Sequence, residues 1–171
     1  MDIIQAIIIG LVQGLTEFLP ISSSTHLIFI QQFLGVNEPL AFDVLLHLGT
    51  LVAVISYFWR DILQMIISLF SSLVDLFKGR FISEIKKDQY KKLTWYVIIA
   101  TIPVGITGYL FNSIVESLFT GVIIPAFFLI ISGCIIYFSQ RMNSGKIDLK
   151  NMSLKEAIIV GCGQACAILP G

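Results

Sequence analysis

Three apolar runs organise the chain: residues 41–59, 93–111 and 120–138, each about 19 residues long, enough for a helix to cross a bilayer. Between the first and second runs, Asp61, Gln64, Ser68, Ser71, Asp75 and Lys78 recur at alternating three- and four-residue steps. That spacing predicts a helix over 60–78 with one polar stripe, lying in the membrane interface or extending the first span. The first 35 residues follow a different pattern. An apolar stretch from Asp2 to Leu19 is interrupted by Pro20, and Ser22-Ser23-Ser24 can cap a fresh helix from Thr25 to about Leu34, where Gly35 ends it. Two half-helices meeting at a Pro–Ser turn predict a re-entrant hairpin over 2–35. Irregular backbone at that depth survives only beside protein or a wet cavity. The expected fold class is an all-α polytopic membrane protein.

Composition supports this reading. Of 171 residues, 56% are hydrophobic and 13% charged, against about 25% charged in a soluble domain, and the mean hydropathy is +0.90. The net charge of zero supplies no field for nucleic acid. The N-terminus has no basic segment ahead of its apolar stretch, so it reads as a native helix, not a signal peptide. Lys78, Arg80, Lys86, Lys87, Lys91 and Lys92 fill one loop region, and Arg141, Lys146, Lys150 and Lys155 another. The connection 112–119 has no Lys or Arg, so both basic loops are expected in the cytoplasm and 112–119 outside. Trp59, Trp95, Tyr96 and Tyr137 fall near run ends, where aromatic belts belong, and Glu116 reads as a solvated charge. Pro103 and Pro125 are tolerable inside spans where neighbouring helices re-satisfy the backbone. Cys162 and Cys166, four apart, have the spacing of a metal or redox pair but read as small apolar packing residues on one helix face, and Cys134 also sits in apolar surroundings.

An internal repeat adds a topological argument. Gln5-Ala-Ile-Ile-Ile-Gly10-Leu-Val-Gln13 matches Glu156-Ala-Ile-Ile-Val-Gly161-Cys-Gly-Gln164, and each copy runs on to a Leu-Pro, Leu19-Pro20 and Leu169-Pro170. The expected organisation is a first repeat over 1–138 and the start of a second over 153–171. With helix 60–78 not crossing, three spans separate the copies, so the two enter the membrane from opposite faces. Inverted repeats with broken helices place sites near the bilayer midplane.

The candidate site lies in Gln13-Gly-Leu-Thr-Glu17-Phe-Leu-Pro-Ile-Ser22-Ser-Ser-Thr-His26. Gln13 and Glu17 are four apart on the first half-helix, and Ser23 and His26 three apart on the second, so each pair shares a face. The Ser22, Ser23 and Ser24 amides and hydroxyls sit at a helix N-terminus, where N–H groups and the dipole favour an anion, with phosphate the natural candidate. Taken singly, Glu17 also reads as a structural ion-pair partner, the Ser run as a cap and His26 as packing. Gathered into one turn inside an apolar segment they favour a site. Asp43 and His47 share a face of the first span and read as a supporting pair. Midplane polar residues also describe a transporter using Glu17 as a proton site, and a structural subunit is a third reading.

These motifs resemble the undecaprenyl-diphosphatase, or bacitracin-resistance, family along essentially the whole chain. The resemblance rests on Gln13-x-x-x-Glu17, the Phe-Leu-Pro-Ile-Ser-Ser-Ser run, the following His26, and Pro170-Gly171, with which the family's second motif begins before a Ser-Arg-Ser segment. It implies a multi-pass protein of the cell membrane. The implied reaction hydrolyses undecaprenyl diphosphate to the monophosphate and inorganic phosphate, recycling the lipid carrier of cell-wall synthesis and conferring bacitracin resistance. It further implies Glu17 as catalytic carboxylate or ligand of a divalent cation (Mg2+ or Ca2+), Ser23 as nucleophile or phosphate-binding hydroxyl, and His26 as proton-transfer residue. Gln13, Ser22 and Ser24 are expected on the phosphate side. Residue sequence leaves the nucleophile open between Ser23 and His26, and says nothing of oligomeric state. Thr25 stands where the family usually has a small residue. The family's phosphate-binding Arg falls beyond Gly171, so the chain is expected to be an inactive fragment of a longer enzyme.

Overall fold

The computed structural model describes residues 1–118, 121–142 and 151–169. Among these the chain forms helices α1 (Ile3–Thr16), α2 (Ser23–Phe33), α3 (Leu40–Tyr57), α4 (Trp59–Phe77), α5 (Phe81–Lys87), α6 (Gln89–Leu118), α7 (Ile123–Arg141) and α8 (Leu154–Cys166), and no strand. Lys146, Lys150, Thr120, Phe119 and Pro170-Gly171, named above, lie outside the described residues. Helices α3, α6 up to Val115, and α7 are long and apolar enough to cross a membrane, matching the three expected runs. The protein is an all-helical polytopic membrane protein.

Two compact units form, one from residues 1–54, 111–143 and 169–171, the other from 55–110 and 144–168. In the first unit, α1 and α2 pack against each other as a hairpin. At 1.5 Å per residue their 14 and 11 residues reach about 21 and 16 Å, short of the roughly 30 Å hydrocarbon core. The turn between them carries Pro20, and Ser22 has a φ of 59°, the one positive φ outside glycine among the described residues. At the far end of α2, Gly35 takes a φ of 65°, its N–H donates to Gln32 O, and Val36 N donates to Gln31 O. That pair of bonds is a Schellman stop at the glycine expected to end the helix.

Some boundaries differ from expectation. Helix α2 begins at Ser23, two residues early, and Ser22 caps it by position while making no side-chain cap hydrogen bond. The 112–119 connection is helical as far as Leu118, with no Pro or Gly between 112 and 118 to break it. Pro125 sits in the first turn of α7, where its missing N–H has no partner to lose.

In the second unit the middle of the polar side of α4 turns toward protein, while Asp61, Gln64 and Lys78 stay exposed. Ser68 and Ser72 are buried, while Phe70 and Phe77 are exposed. Trp95 Nε1 donates to Ser72 Oγ (2.9 Å), Thr94 Oγ1 to Met65 O (3.3 Å), and Tyr90 OH to Asp61 Oδ1 (2.9 Å). Lys91 Nζ meets Asp75 Oδ2 at 2.5 Å with both side chains nearly buried. Trp95 is therefore held in the helix seam, stacked edge-on to Phe81, and is not a lipid-facing belt residue.

The sequence repeat has a structural counterpart. Helix α1 opens on a capping box between Asp2 and Gln5, and α8 opens on one between Ser153 and Glu156, at the aligned positions. The packed face of α8 is Ala157 and Gly161, whereas Cys162 and Cys166 are exposed and unlinked, contrary to the packing role expected of them. Gly161 is where α8 meets α6: a Cβ there would lie 2.5 Å from Ala100 O and 2.8 Å from Ala100 Cα.

Gly161→Ala should therefore force the two backbones apart and cost about 1–3 kcal/mol, read as a lower Tm in detergent. Gly163→Ala, with nothing within 4 Å, should be neutral or mildly stabilising; equal effects would contradict the close approach. The hydrogen bond from Lys91 holds the Asp75 carboxyl below the usual carboxylate range. A depressed pKa contributes stability above the unfolded value, near 4, that is lost as pH falls through the folded value. Asp75→Asn should lower Tm at pH 7 and abolish that part of the acid loss, as followed by thermal melts from pH 7 to 3.

Candidate active site

The Gln13–His26 segment closes on itself because α1 ends at Thr16 and the chain reverses through Pro20 before α2 begins. Glu17 is the C-cap residue of α1 and Ser23 the first residue of α2, so the turn brings together groups six residues apart. Ser23 Oγ donates to Glu17 Oε2 at 2.6 Å, and Gln13 Nε2 donates to the same oxygen at 2.8 Å. Gln13 is 1% exposed, and its Oε1 is buried with no hydrogen-bond partner. Thr16 folds back on its own helix, its hydroxyl donating to Val12 O at 2.7 Å. Glu17 is thus the shared acceptor of both half-helices. An O–H to carboxylate contact of this length is charge-assisted, and it orients the hydroxyl.

The rest of the serine turn is also connected. Ser22 Oγ donates to Thr25 Oγ1 at 3.0 Å, and Thr25 is fully buried. Threonine at this place thus anchors the turn where the family usually has a small residue. His26 donates from Nδ1 to Ser22 O at 2.8 Å, since a carbonyl only accepts. Among the described residues no hydrogen bond joins His26 to Glu17 or Ser23. The left-handed Ser22 stores strain at the turn, a feature that concentrates at functional sites.

His47 and Asp43 separate in a way their spacing did not suggest. The Asp43 carboxylate accepts from Gln31 Nε2 of α2 at 2.7 Å, not from His47. His47 Nδ1 instead donates to the Asp43 backbone O at 2.7 Å, and its Nε2 faces Glu17 Oε2 at 3.8 Å. The expected side-chain pair is therefore two links, Gln31–Asp43 tying α2 to α3 and His47 approaching the Glu17 carboxylate. The i, i+4 spacing could show a shared face, but not that α3 packs where His47 meets the hairpin. Beside these groups lies a cavity of about 740 Å³ lined by Ser24, Gln31, Asp43 and His47 at polar positions and by Leu27, Leu48 and Leu51 at apolar ones. Its lining of polar and apolar side chains together suits an amphipathic ligand. No set of three or more His, Cys, Asp or Glu groups able to hold a metal occurs among the described residues.

Comparison with known proteins places the chain. The family model described as bacitracin resistance protein BacA matches residues 6–171. An undecaprenyl-diphosphatase of Methanobrevibacter smithii is 63% identical over the whole chain, which covers 62% of that relative. Those of Methanosphaera stadtmanae and Moorella thermoacetica are 44% and 41% identical, with 63% and 61% of their lengths covered. The chain thus spans about three fifths of the length of the curated relatives it matches. Its Gln-x-x-x-Glu helix end, its serine turn and this match over nearly every residue make the chain a member of the bacitracin resistance protein BacA family.

Proposed function

We propose that the protein carrying this chain is a hydrolase of the cell membrane that converts undecaprenyl diphosphate to undecaprenyl phosphate and inorganic phosphate. The reaction would return the lipid carrier to cell-wall synthesis and lower sensitivity to bacitracin. The single observation that carries the reading is the 2.6 Å hydrogen bond from Ser23 Oγ to Glu17 Oε2, a hydroxyl already aimed at a base. The relatives named undecaprenyl-diphosphatase support the substrate.

In this reading the diphosphate meets the first turn of α2. Its N–H groups receive no side-chain cap from Ser22, so they and the dipole are left to an anion, with Ser22 and Ser24 alongside. Ser23 Oγ attacks the terminal phosphorus as its proton passes to Glu17. The bond to the bridging oxygen breaks, undecaprenyl phosphate leaves, and the phosphoryl group stays on Ser23. His26, its Nδ1 fixed on Ser22 O, exchanges a proton at Nε2 with the leaving oxygen. Water then attacks the phosphoserine as its proton passes to His26, left neutral by the first step, while Glu17 returns its proton to the departing Ser23 Oγ, so inorganic phosphate leaves with all three groups restored. The prenyl tail keeps its place in lipid, with Leu27, Leu48 and Leu51 of the cavity lining as its apolar contacts.

The orphaned, buried Gln13 Oε1 beside the Glu17 carboxylate and the Ser23 hydroxyl is an oxygen set suited to a hard divalent cation such as Mg2+ or Ca2+. Such an ion, bound with the diphosphate, would neutralise charge on the phosphoryl oxygens. The copy of the α1 pattern in α8 supports an inverted pair of hairpins, the first repeat over 1–138, in which this site is one half.

Glu17→Gln and Ser23→Ala should each lower phosphate release from the prenyl diphosphate by about 10²–10⁴-fold in detergent. Ser23→Ala should also abolish an acid-stable phosphoenzyme. Normal release from both variants would remove the catalytic assignment, and intact substrate crossing a sealed bilayer would favour a carrier.

A further inference from the structure

We propose that His47 is a ligand of the divalent cation, making the site a mixed nitrogen and oxygen one that prefers Mn2+ to Mg2+ or Ca2+. The inference rests on the cation-assisted reading of the site given above. Three observations within the first unit lead to it. His47 Nδ1 donates to the Asp43 backbone carbonyl at 2.7 Å, which fixes the ring and leaves the Nε2 lone pair outward in the neutral imidazole. A metal-binding histidine characteristically donates its other ring nitrogen in this way. Next, that Nε2 faces Glu17 Oε2 at 3.8 Å. This is too long for a hydrogen bond, yet shorter than the sum of two metal–ligand bonds of about 2.0–2.2 Å each. Finally, Gln13 Oε1 is buried and unpartnered, and the bond from Gln13 Nε2 to Glu17 keeps that amide beside the same carboxylate.

An orphaned buried acceptor is costly in the absence of a partner, and a cation supplies one. Glu17, Gln13 and Ser23 alone are hard oxygen donors, the set for Mg2+ or Ca2+. An imidazole nitrogen favours first-row ions over Mg2+ and Ca2+, and of that series Mn2+ is the one that also suits carboxylate and amide oxygens. Gln31 has a supporting place, since its bond to Asp43 holds the turn of α3 that carries the His47 acceptor.

The test uses the complete protein in detergent with Mn2+ alone as probe. Pulsed EPR should show nitrogen-14 modulation on bound Mn2+ from a directly coordinated imidazole. His47→Gln should abolish that modulation and weaken Mn2+ binding by about tenfold or more, while Mg2+ binding changes far less, so the Mn2+/Mg2+ affinity ratio falls. His47→Asn serves as a second variant. The wild-type spectrum needs no variant at all. Bound Mn2+ without nitrogen modulation, no Mn2+ binding, or an unchanged affinity ratio in a folded variant would each overturn the assignment. Phosphate release is scored separately. Prenyl diphosphate hydrolysis without nitrogen on the ion defeats this inference alone; nitrogen on the ion without hydrolysis under any cation defeats the proposed reaction alone.

Discussion

A carboxylate inside an apolar hairpin has to be solvated by the protein, and most of the first unit can be understood as doing that for Glu17. Leaving such a charge unpaired costs far more than one hydrogen bond returns. The chain meets the demand by ending α1 at Thr16 and reversing at Pro20, so that Ser23 of α2 donates from one side and Gln13 of α1 from the other. Each half-helix is shorter than the hydrocarbon core is thick. The same contact that satisfies the charge also aims a hydroxyl at a base. Structural necessity and the proposed chemistry share one bond.

The second unit resolves the same problem in a different way. Helix α4 carries a regular polar stripe, and in water that stripe would face out. Here Ser72 and Asp75 meet Trp95 and Lys91 at the start of α6, and Thr94 donates to the Met65 carbonyl beside them. At this seam polar contacts and close backbone packing hold the helices together. The contact between Gly161 and Ala100 is the packing half of that arrangement.

Much of this was legible in the sequence, and the parts that were not share a cause. The three spans followed from run length, the α2 stop from Gly35, and the Gln13–Glu17 and Glu17–Ser23 neighbourhood from spacing and one turn. The periodicity of α4 was equally clear, but a stripe reports which residues share a face and not what the face meets. His47 was missed as a neighbour of Glu17 for the same reason: local spacing paired it with Asp43, and only the packing of α3 on the hairpin, with Gln31 taking the Asp43 carboxylate, redirects it. The end of α6 was set too early because the apolar run stops at residue 111, although no Pro or Gly stands between 112 and 118.

The central claim is that Glu17 and Ser23 act as one unit across the turn, and a double-mutant cycle tests it most directly. Steady-state phosphate release from a prenyl diphosphate would be measured for the complete protein and for Glu17→Gln, Ser23→Ala and the double variant. Residues that act together are strongly non-additive, so the double variant should be about as slow as the slower single variant. Losses that multiply, with the double variant slower by the product of the two single effects, would show that the two groups act independently and would contradict the account.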